Sequence, residues 1–206
     1  SVVMKGFTEG DSDWYGTASI AANPAKDRYG TATITLTISD GYASASRSFR
    51  LIVTPVNDAP SFVKGPNRTV DEDAGPQKVV NWATAITPGP YEENQKVWFE
   101  VVTDNPDLFA EGPAVAPNGT LTYTPAPDAF GTAEVEVRLV DDGGTDYGGV
   151  NASPWQKFTI NVRAVNDAPV IAPIPTMGTE IGQITDEIDI TVTDVDSDVS
   201  QITLEV

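Results

Sequence analysis

The sequence contains no cysteine and no histidine. Without them it cannot assemble a Ser-His-Asp or Cys-His catalytic pair, or a zinc site of the usual nitrogen and sulfur ligands. No disulfide can staple the fold, which suits an exported bacterial protein without naming a compartment. Positive charge is also scarce: 12 Lys+Arg stand against 30 Asp+Glu, a formal net charge of -18 with pI near 4.1. Such a surface repels phosphate backbones and anionic headgroups, so no nucleic-acid partner is expected. No apolar run approaches the roughly 20 residues of a membrane span, so direct membrane insertion is not expected either, and nothing at Ser1 reads as a signal segment. Two carboxylates can in principle do acid/base chemistry, but no stretch sets a pair of acids in an otherwise apolar context, and an enzyme is not expected. Divalent cations held by oxygen ligands remain as the natural counter-charge.

A length of 206 residues admits one or two domains. Self-similarity decides how that length is used. Val56-Asn57-Asp58-Ala59-Pro60 recurs as Val165-Asn166-Asp167-Ala168-Pro169, a shift of 109 residues. Upstream, Asp27-Arg28-Tyr29-Gly30-Thr31-Ala32 matches Asp128-Ala129-Phe130-Gly131-Thr132-Ala133 at a shift of 101, which also aligns Ile34, Leu36, Ile38 and Asp40 with Val135, Val137, Leu139 and Asp141. The difference is an eight-residue insertion between Asp141 and Phe158, in the Gly-rich stretch Asp142-Gly143-Gly144-Thr145-Asp146-Tyr147-Gly148-Gly149.

The local patterns are those of strands. Thr33-Ile34-Thr35-Leu36-Thr37-Ile38 and Glu134-Val135-Glu136-Val137-Arg138-Leu139 alternate polar and apolar residues, the period of a half-buried strand. Further strands are expected at Phe49–Val53, Lys78–Trp82, Val97–Val102, Thr120–Thr124, Phe158–Val162 and Ile188–Thr193, bounded by Pro, Gly, Asn and Asp. Short strands in a unit of roughly 100 residues predict an all-β chain of tandem antiparallel β-sandwich repeats. One repeat, 57–166, is complete; 1–56 aligns with the C-terminal half of such a unit and 167–206 with the N-terminal half of the next.

The Val-Asn-Asp-Ala-Pro linker, the Ser39-Asp40-Gly41 turn and Thr193-Asp194-Val195-Asp196-Ser197-Asp198 resemble the cadherin-like, Ig-like tandem repeats of very large bacterial surface proteins and adhesins. Pro88-Gly89-Pro90-Tyr91-Glu92-Glu93-Asn94-Gln95, Asp104-Asn105-Pro106-Asp107-Leu108-Phe109 and Pro117-Asn118-Gly119-Thr120-Leu121-Thr122-Tyr123-Thr124-Pro125 extend the resemblance over nearly the whole chain, with residues 1–16 its weakest part. It implies an extracellular, surface-displayed structural or adhesive spacer whose junctions bind Ca²⁺. Crowded carboxylates at a hinge repel one another until a cation bridges them, and Ca²⁺ takes six to eight oxygens. At the second junction the resemblance carries the ligand role to Glu72, Asp128, Asn166, Asp167, Asp194 and Asp196, with Asp198 added. At the first, Asp27, Asn57, Asp58 and Asp141 occupy the matching places, but the Asp-x-Asp pair is missing and Glu92 and Glu93 fall in its region, so a weaker site or none is expected.

These acids also have a plain structural reading, since Asn and Asp satisfy local amides in turns and Pro stiffens a linker. The expected partners are neighbouring repeats of the same protein or identical subunits arranged head to tail as a filament, with a cell-surface glycan or protein as a further candidate. The alternative function is a carbohydrate-binding module, because sugar rings stack on exposed aromatics. Of the tryptophans, Trp82 and Trp98 lie in strand patterns and are expected in the core; Trp155 and Tyr147 lie in or beside the insertion, where a loop can present them.

Overall fold

The structure, a computed structural model, describes residues 2–9, 16–183, 187–197, 200 and 202–203. Trp14 and Asp198 lie outside the described residues. The strands in chain order are β1 (Val2–Glu9), β2 (Gly16–Ala22), β3 (Gly30–Ser39), β4 (Ser44–Val53), β5 (Ser61–Val63), β6 (Arg68–Asp71), β7 (Gln77–Val79), β8 (Thr84–Thr87), β9 (Val97–Thr103), β10 (Phe109–Val115), β11 (Leu121–Pro125), β12 (Gly131–Asp141), β13 (Gln156–Arg163), β14 (Val170–Ile171) and β15 (Val192–Thr193). Among the described residues there is no α-helix, only single 3₁₀ turns at Pro106–Leu108 and Asp146–Gly148, and no helix long and apolar enough to cross a membrane.

A sandwich forms from a four-stranded sheet in the order β6-β13-β12-β9 facing a three-stranded sheet in the order β10-β11-β7, with the pair β5-β8 beside them. Alternation along β12 explains its place at the centre. Ala133, Val135, Val137 and Leu139 point inward and are completely buried, while Glu134, Glu136 and Arg138 point outward. On β13, Phe158, Ile160 and Val162 continue the inward face. Antiparallel pairing sets Val137 opposite Gln156 on one side and Val101 on the other. β6 joins the far edge of β13 in parallel, Val70 opposite Val162, and so delivers the residues after it, Glu72 and Asp73, to the end where the chain leaves β13. The buried core is drawn from residues between Phe62 and Val162.

Two strand expectations are corrected. The strand expected at Lys78–Trp82 stops at Val79, because Asn81 takes a left-handed φ of 55° and turns the chain inward. Trp82 is buried at 3% exposure nonetheless, its Nε1 donating to the Pro66 carbonyl at 3.0 Å and its ring tilted against Phe158 at 4.4 Å. Gly65 makes room for it: a Cβ there would lie 2.4 Å from the indole Cδ1. The strand expected at Ile188–Thr193 is reduced to Val192–Thr193, which pairs with Val170–Ile171 among the described residues, and Ile190 stays 41% exposed. A strand persists where a neighbour takes its backbone hydrogen bonds, and β14 is two residues long.

The hairpin β3–β4 repeats the hairpin β12–β13 in sequence and pairing, Gly30 opposite Val53 as Gly131 opposes Val162. Among the described residues its apolar face is uncovered. Ile38 and Phe49 on that face are 57% and 42% exposed, whereas their counterparts Leu139 and Phe158 are buried at 0% and 2%.

Candidate functional site

Carboxylates from four separate segments meet where β13 gives way to the Asn166-Asp167 linker. Glu72 is fixed first: its N–H donates to the Arg163 carbonyl at 3.0 Å, which extends the parallel pairing one residue beyond β6. Its side chain is 1% exposed, and Oε1 accepts the Val165 N–H at 2.7 Å. Among the described residues Glu72 Oε2 is buried without a hydrogen-bond partner. An unpartnered buried carboxylate oxygen is expensive in a fold unless something else supplies the positive charge.

Asp73, Asp128 and Asp167 gather beside it, with a carboxylate oxygen of each within 4.8 Å of the others. Asp73 and Asp128 reach that position through left-handed backbones, φ 56° and 57°, which Asp tolerates better than most residues. Asp167 Oδ2 is likewise buried and has no hydrogen-bond partner among the described residues. Desolvation pushes the Asp167 carboxyl above its ordinary value of 3.8, and the carboxylates of Asp73, Asp196, Asp128 and Glu72 push it further the same way. From beyond the linker, Asp196 Oδ2 accepts the Asp167 N–H at 2.5 Å. Asp194 does not face the linker in the same way: its Oδ1 accepts the N–H groups of Asp196 and Ser197 at 3.0 and 2.6 Å, closing the turn that presents Asp196. Asn166 donates its side-chain amide to the Asp167 carbonyl at 2.6 Å.

Of the residues expected here, the structure therefore brings Glu72, Asp128, Asp167 and Asp196 together, with Asn166 adjacent and Asp194 behind. It adds Asp73, which sequence reasoning missed. The available signal was its adjacency to Glu72 in an Asp-Glu-Asp run, but the left-handed turn that swings it toward Asp128 is a property of the folded backbone. The donors are all oxygen and all anionic, and two of their buried oxygens are unpartnered. That set fits a hard cation such as Ca²⁺.

The first junction is organised differently. Asn57 is a hydrogen-bond hub: its Nδ2 donates to Asp141 Oδ1 at 3.0 Å and to the Val150 carbonyl at 2.8 Å, while its Oδ1 accepts from Gln95 Nε2 at 2.8 Å. Its own carbonyl accepts the Val150 N–H at 3.0 Å, so the eight-residue insertion folds back onto the linker. Close approach requires glycine at 143, where a Cβ would lie 1.8 Å from Asn57 Oδ1. Asp141, 1% exposed, also accepts the Gly143 N–H at 2.9 Å, and its Oδ2 has no partner. Asp58 donates its N–H to the Glu92 carboxylate, whose oxygens lie at 3.2 and 3.3 Å. Desolvation raises the Glu92 pKa, and the nearby Asp58 and Asp141 carboxylates add to the rise. Asp27 and Asp58 line one cleft with Glu92, but Arg28 lines it too, its guanidinium 3.9 Å above the Tyr91 ring, and Lys26 lies 3.7 Å from Asp27. Here the side-chain amides of Asn57 and Gln95 supply hydrogen-bond donors within the cluster, and the arginine and lysine bring positive charge to the cleft.

A scan against protein-family models finds no match, and a search of curated proteins finds none. Among solved structures the chain is similar to the crystal structure of human protocadherin-24 EC1-2, at 16% identity and a TM-score of 0.50, over 80% of this chain and 81% of that one. Form II of the same EC1-2 pair matches at 16% identity and a TM-score of 0.49, over 81% and 82%. The first of these likenesses shows the fold: this is an all-β chain of cadherin-like β-sandwich architecture.

Proposed function

We propose that the chain is a spacer segment of an extracellular, surface-displayed adhesive protein, stiffened by Ca²⁺ at the second junction and not an enzyme. The observation that carries this reading is the buried Glu72 carboxylate, with one oxygen unpartnered, beside the carboxylates of Asp73, Asp128 and Asp167 at a chain linker. Those residues would hold the ion, joined by Asp196 from the far side of the linker. The ion supplies the positive charge the cluster lacks. Because its ligands come from both sides of Val165-Asn166-Asp167, loading it couples the flanking segments and restricts bending between them. Repeated along an array of such units, the same coupling makes a rod that holds a distal end away from the cell. The partners of the unit 57–166 are then neighbouring repeats. Repeat sequence of the same protein, or an identical subunit head to tail, is what covers the open face of β3–β4, as β10, β11 and β7 cover the matching face of β12–β13.

The test is a calcium titration followed by calorimetry and thermal unfolding. A ligand at a hundred times its Kd stabilises the state it binds by about 2.7 kcal/mol. For a unit of this size about 1 kcal/mol moves Tm by roughly 4–8 °C, so a rise on the order of 10–20 °C is expected, reversed by chelator. No heat of binding together with an unmoved Tm would remove the calcium claim. Retention of the full response in Asp128→Asn would move the site elsewhere.

A further inference from the structure

The strand pattern places Trp98 in the core, and the structure corrects this: Trp98 is 41% exposed on the outer face of the four-stranded sheet. The reason is the phase of β9, whose Val97, Phe99 and Val101 pack on the core, so that Trp98, Glu100 and Val102 point outward. Trp98 opposes Val140 on β12 and Glu100 opposes Arg138. On the other side of β12, Val140 bridges Ala152, and Trp155 stands just ahead of Gln156, the partner of Val137. Trp155 is 40% exposed. The two indoles therefore flank β12 on one face, on strands two spacings or about 10 Å apart across the sheet and staggered by two residues along it.

Between them, Arg138 binds Glu100 through Nε at 2.6 Å and Nη2 at 2.5 Å. Its guanidinium also lies 4.6 Å from the centre of the Trp155 ring, steadying that indole. Further along the face, Lys157 pairs with Glu134 at 2.6 Å and Glu136 at 3.2 Å. Both cations on this stretch are thus neutralised within the protein, in a chain of net charge -18.

We propose that this face is a binding platform for a neutral glycan, Trp98 and Trp155 stacking on pyranose rings and the Arg138–Glu100 pair hydrogen-bonding their hydroxyls. The apolar area decides against a protein partner. A tryptophan presents at most about 250 Å², so two rings exposed by 40% offer roughly 200 Å². A stable protein interface buries about 800 Å² per partner, a little over half of it non-polar, so about 450 Å² of apolar surface is required. The charge decides against an anionic polymer, because the cations are already paired and the rest of the chain repels it. What is left is a small, flat, uncharged ligand with polar edges, presented with both donors and acceptors.

The experiment is affinity electrophoresis of the whole 206-residue chain in gels containing neutral polymers of glucose, xylose, mannose or galactose, with alginate as the acidic control. Each gel is run with calcium and with chelator. The platform lies on one sheet and does not involve the linker carboxylates, so retardation in both conditions is expected even if the junction binds no ion. At least one neutral polymer should retard the chain, and Trp98→Ala and Trp155→Ala should each weaken the apparent affinity by about tenfold. Trp155→Phe, which keeps an aromatic face, should recover part of the loss, and unchanged melting of the variants would show that they fold. Three results would overturn the proposal: no retardation by any neutral polymer, retardation undiminished in the double alanine variant, or retardation by alginate alone.

Discussion

Leu139 and Ile38 occupy the same place in the sequence repeat, 101 residues apart, and a truncation at each measures what the tertiary structure has done with that place. Leu139 has no exposed surface and packs among Val137, Phe158 and the other residues of the sandwich core. Leu139→Ala removes three buried carbons and leaves a cavity in a close-packed interior, which costs about 2–5 kcal/mol. Ile38, 57% exposed on β3, already meets water over more than half of its surface. Its truncation to alanine forfeits only the packing that remains and should cost no more than about 0.5 kcal/mol, as for surface substitutions generally. For a unit of this size the first change should lower Tm by at least about 8 °C and the second by under about 4 °C. Far-UV circular dichroism, which sees the strands of both hairpins, supplies the signal for both variants, and the fluorescence of Trp82, buried against Phe158, reports separately on the core around Leu139. Denaturant unfolding at several protein concentrations separates the outcomes. Equal losses at the two positions would refute the reasoning, because Ile38 would then have to be covered in solution. If that loss also depended on concentration, the cover would be a second copy of the chain.

Three more predictions concern the junctions. Glu72→Gln should abolish most of the calcium-dependent rise in Tm while leaving the ion-free protein at least as stable, since it removes a charge that the ion-free site leaves unpaired; a calcium titration of both proteins reads this, and a variant that is simply less stable in chelator would count against it. The Asp167 pKa is raised in the fold above its ordinary 3.8, so its ionisation is penalised there. The stability this represents is fully present below the unfolded value and is lost as pH rises through the folded one. In chelator, acidification from neutrality through that window should therefore stabilise the second junction, while calcium affinity falls over the same range as the ligands protonate; pH-dependent melting with and without calcium shows whether the two trends oppose each other. Gly143→Ala should disrupt the Asn57 hub, since the new Cβ meets Asn57 Oδ1, and leave buried Asp141 with one hydrogen bond fewer. A loss on the order of 1–3 kcal/mol is expected in denaturant unfolding, insensitive to calcium.

Much of the architecture could be read in advance because it is periodic. Alternation along Thr33–Ile38 and Glu134–Leu139 specifies strands whatever surrounds them, and both are strands. The linker acids were legible as a cluster because Asn166-Asp167 and Asp194-Val195-Asp196 stand out in composition. Asp73 was not, since nothing in Asp71-Glu72-Asp73 says which of three adjacent acids faces the linker. Glu72 turns inward because its N–H continues the pairing with β13, and Asp73 swings out through a left-handed residue. Trp98 was misplaced for a related reason: in Val97-Trp98-Phe99 every residue is apolar, so the alternation that would reveal the phase is absent.

The turn that leads into each of the hairpins β3–β4 and β12–β13 separates what is local from what is not. Asp27 and Asp128 adopt φ 56° and 57°, and the glycines three residues on, Gly30 and Gly131, adopt φ 131° and 140°. Sequence alone determines this, because backbone torsions answer to chain neighbours, and those neighbours are repeated. The strands that follow then diverge: Val135, Val137 and Leu139 are sealed, while Ile34 and Leu36 are half-buried and Ile38 is open. Asp128 likewise joins Asp73 and Asp167, while its counterpart Asp27 shares a cleft with Arg28. Burial and charge environment depend on which distant segments arrive opposite, and only the tertiary structure supplies those.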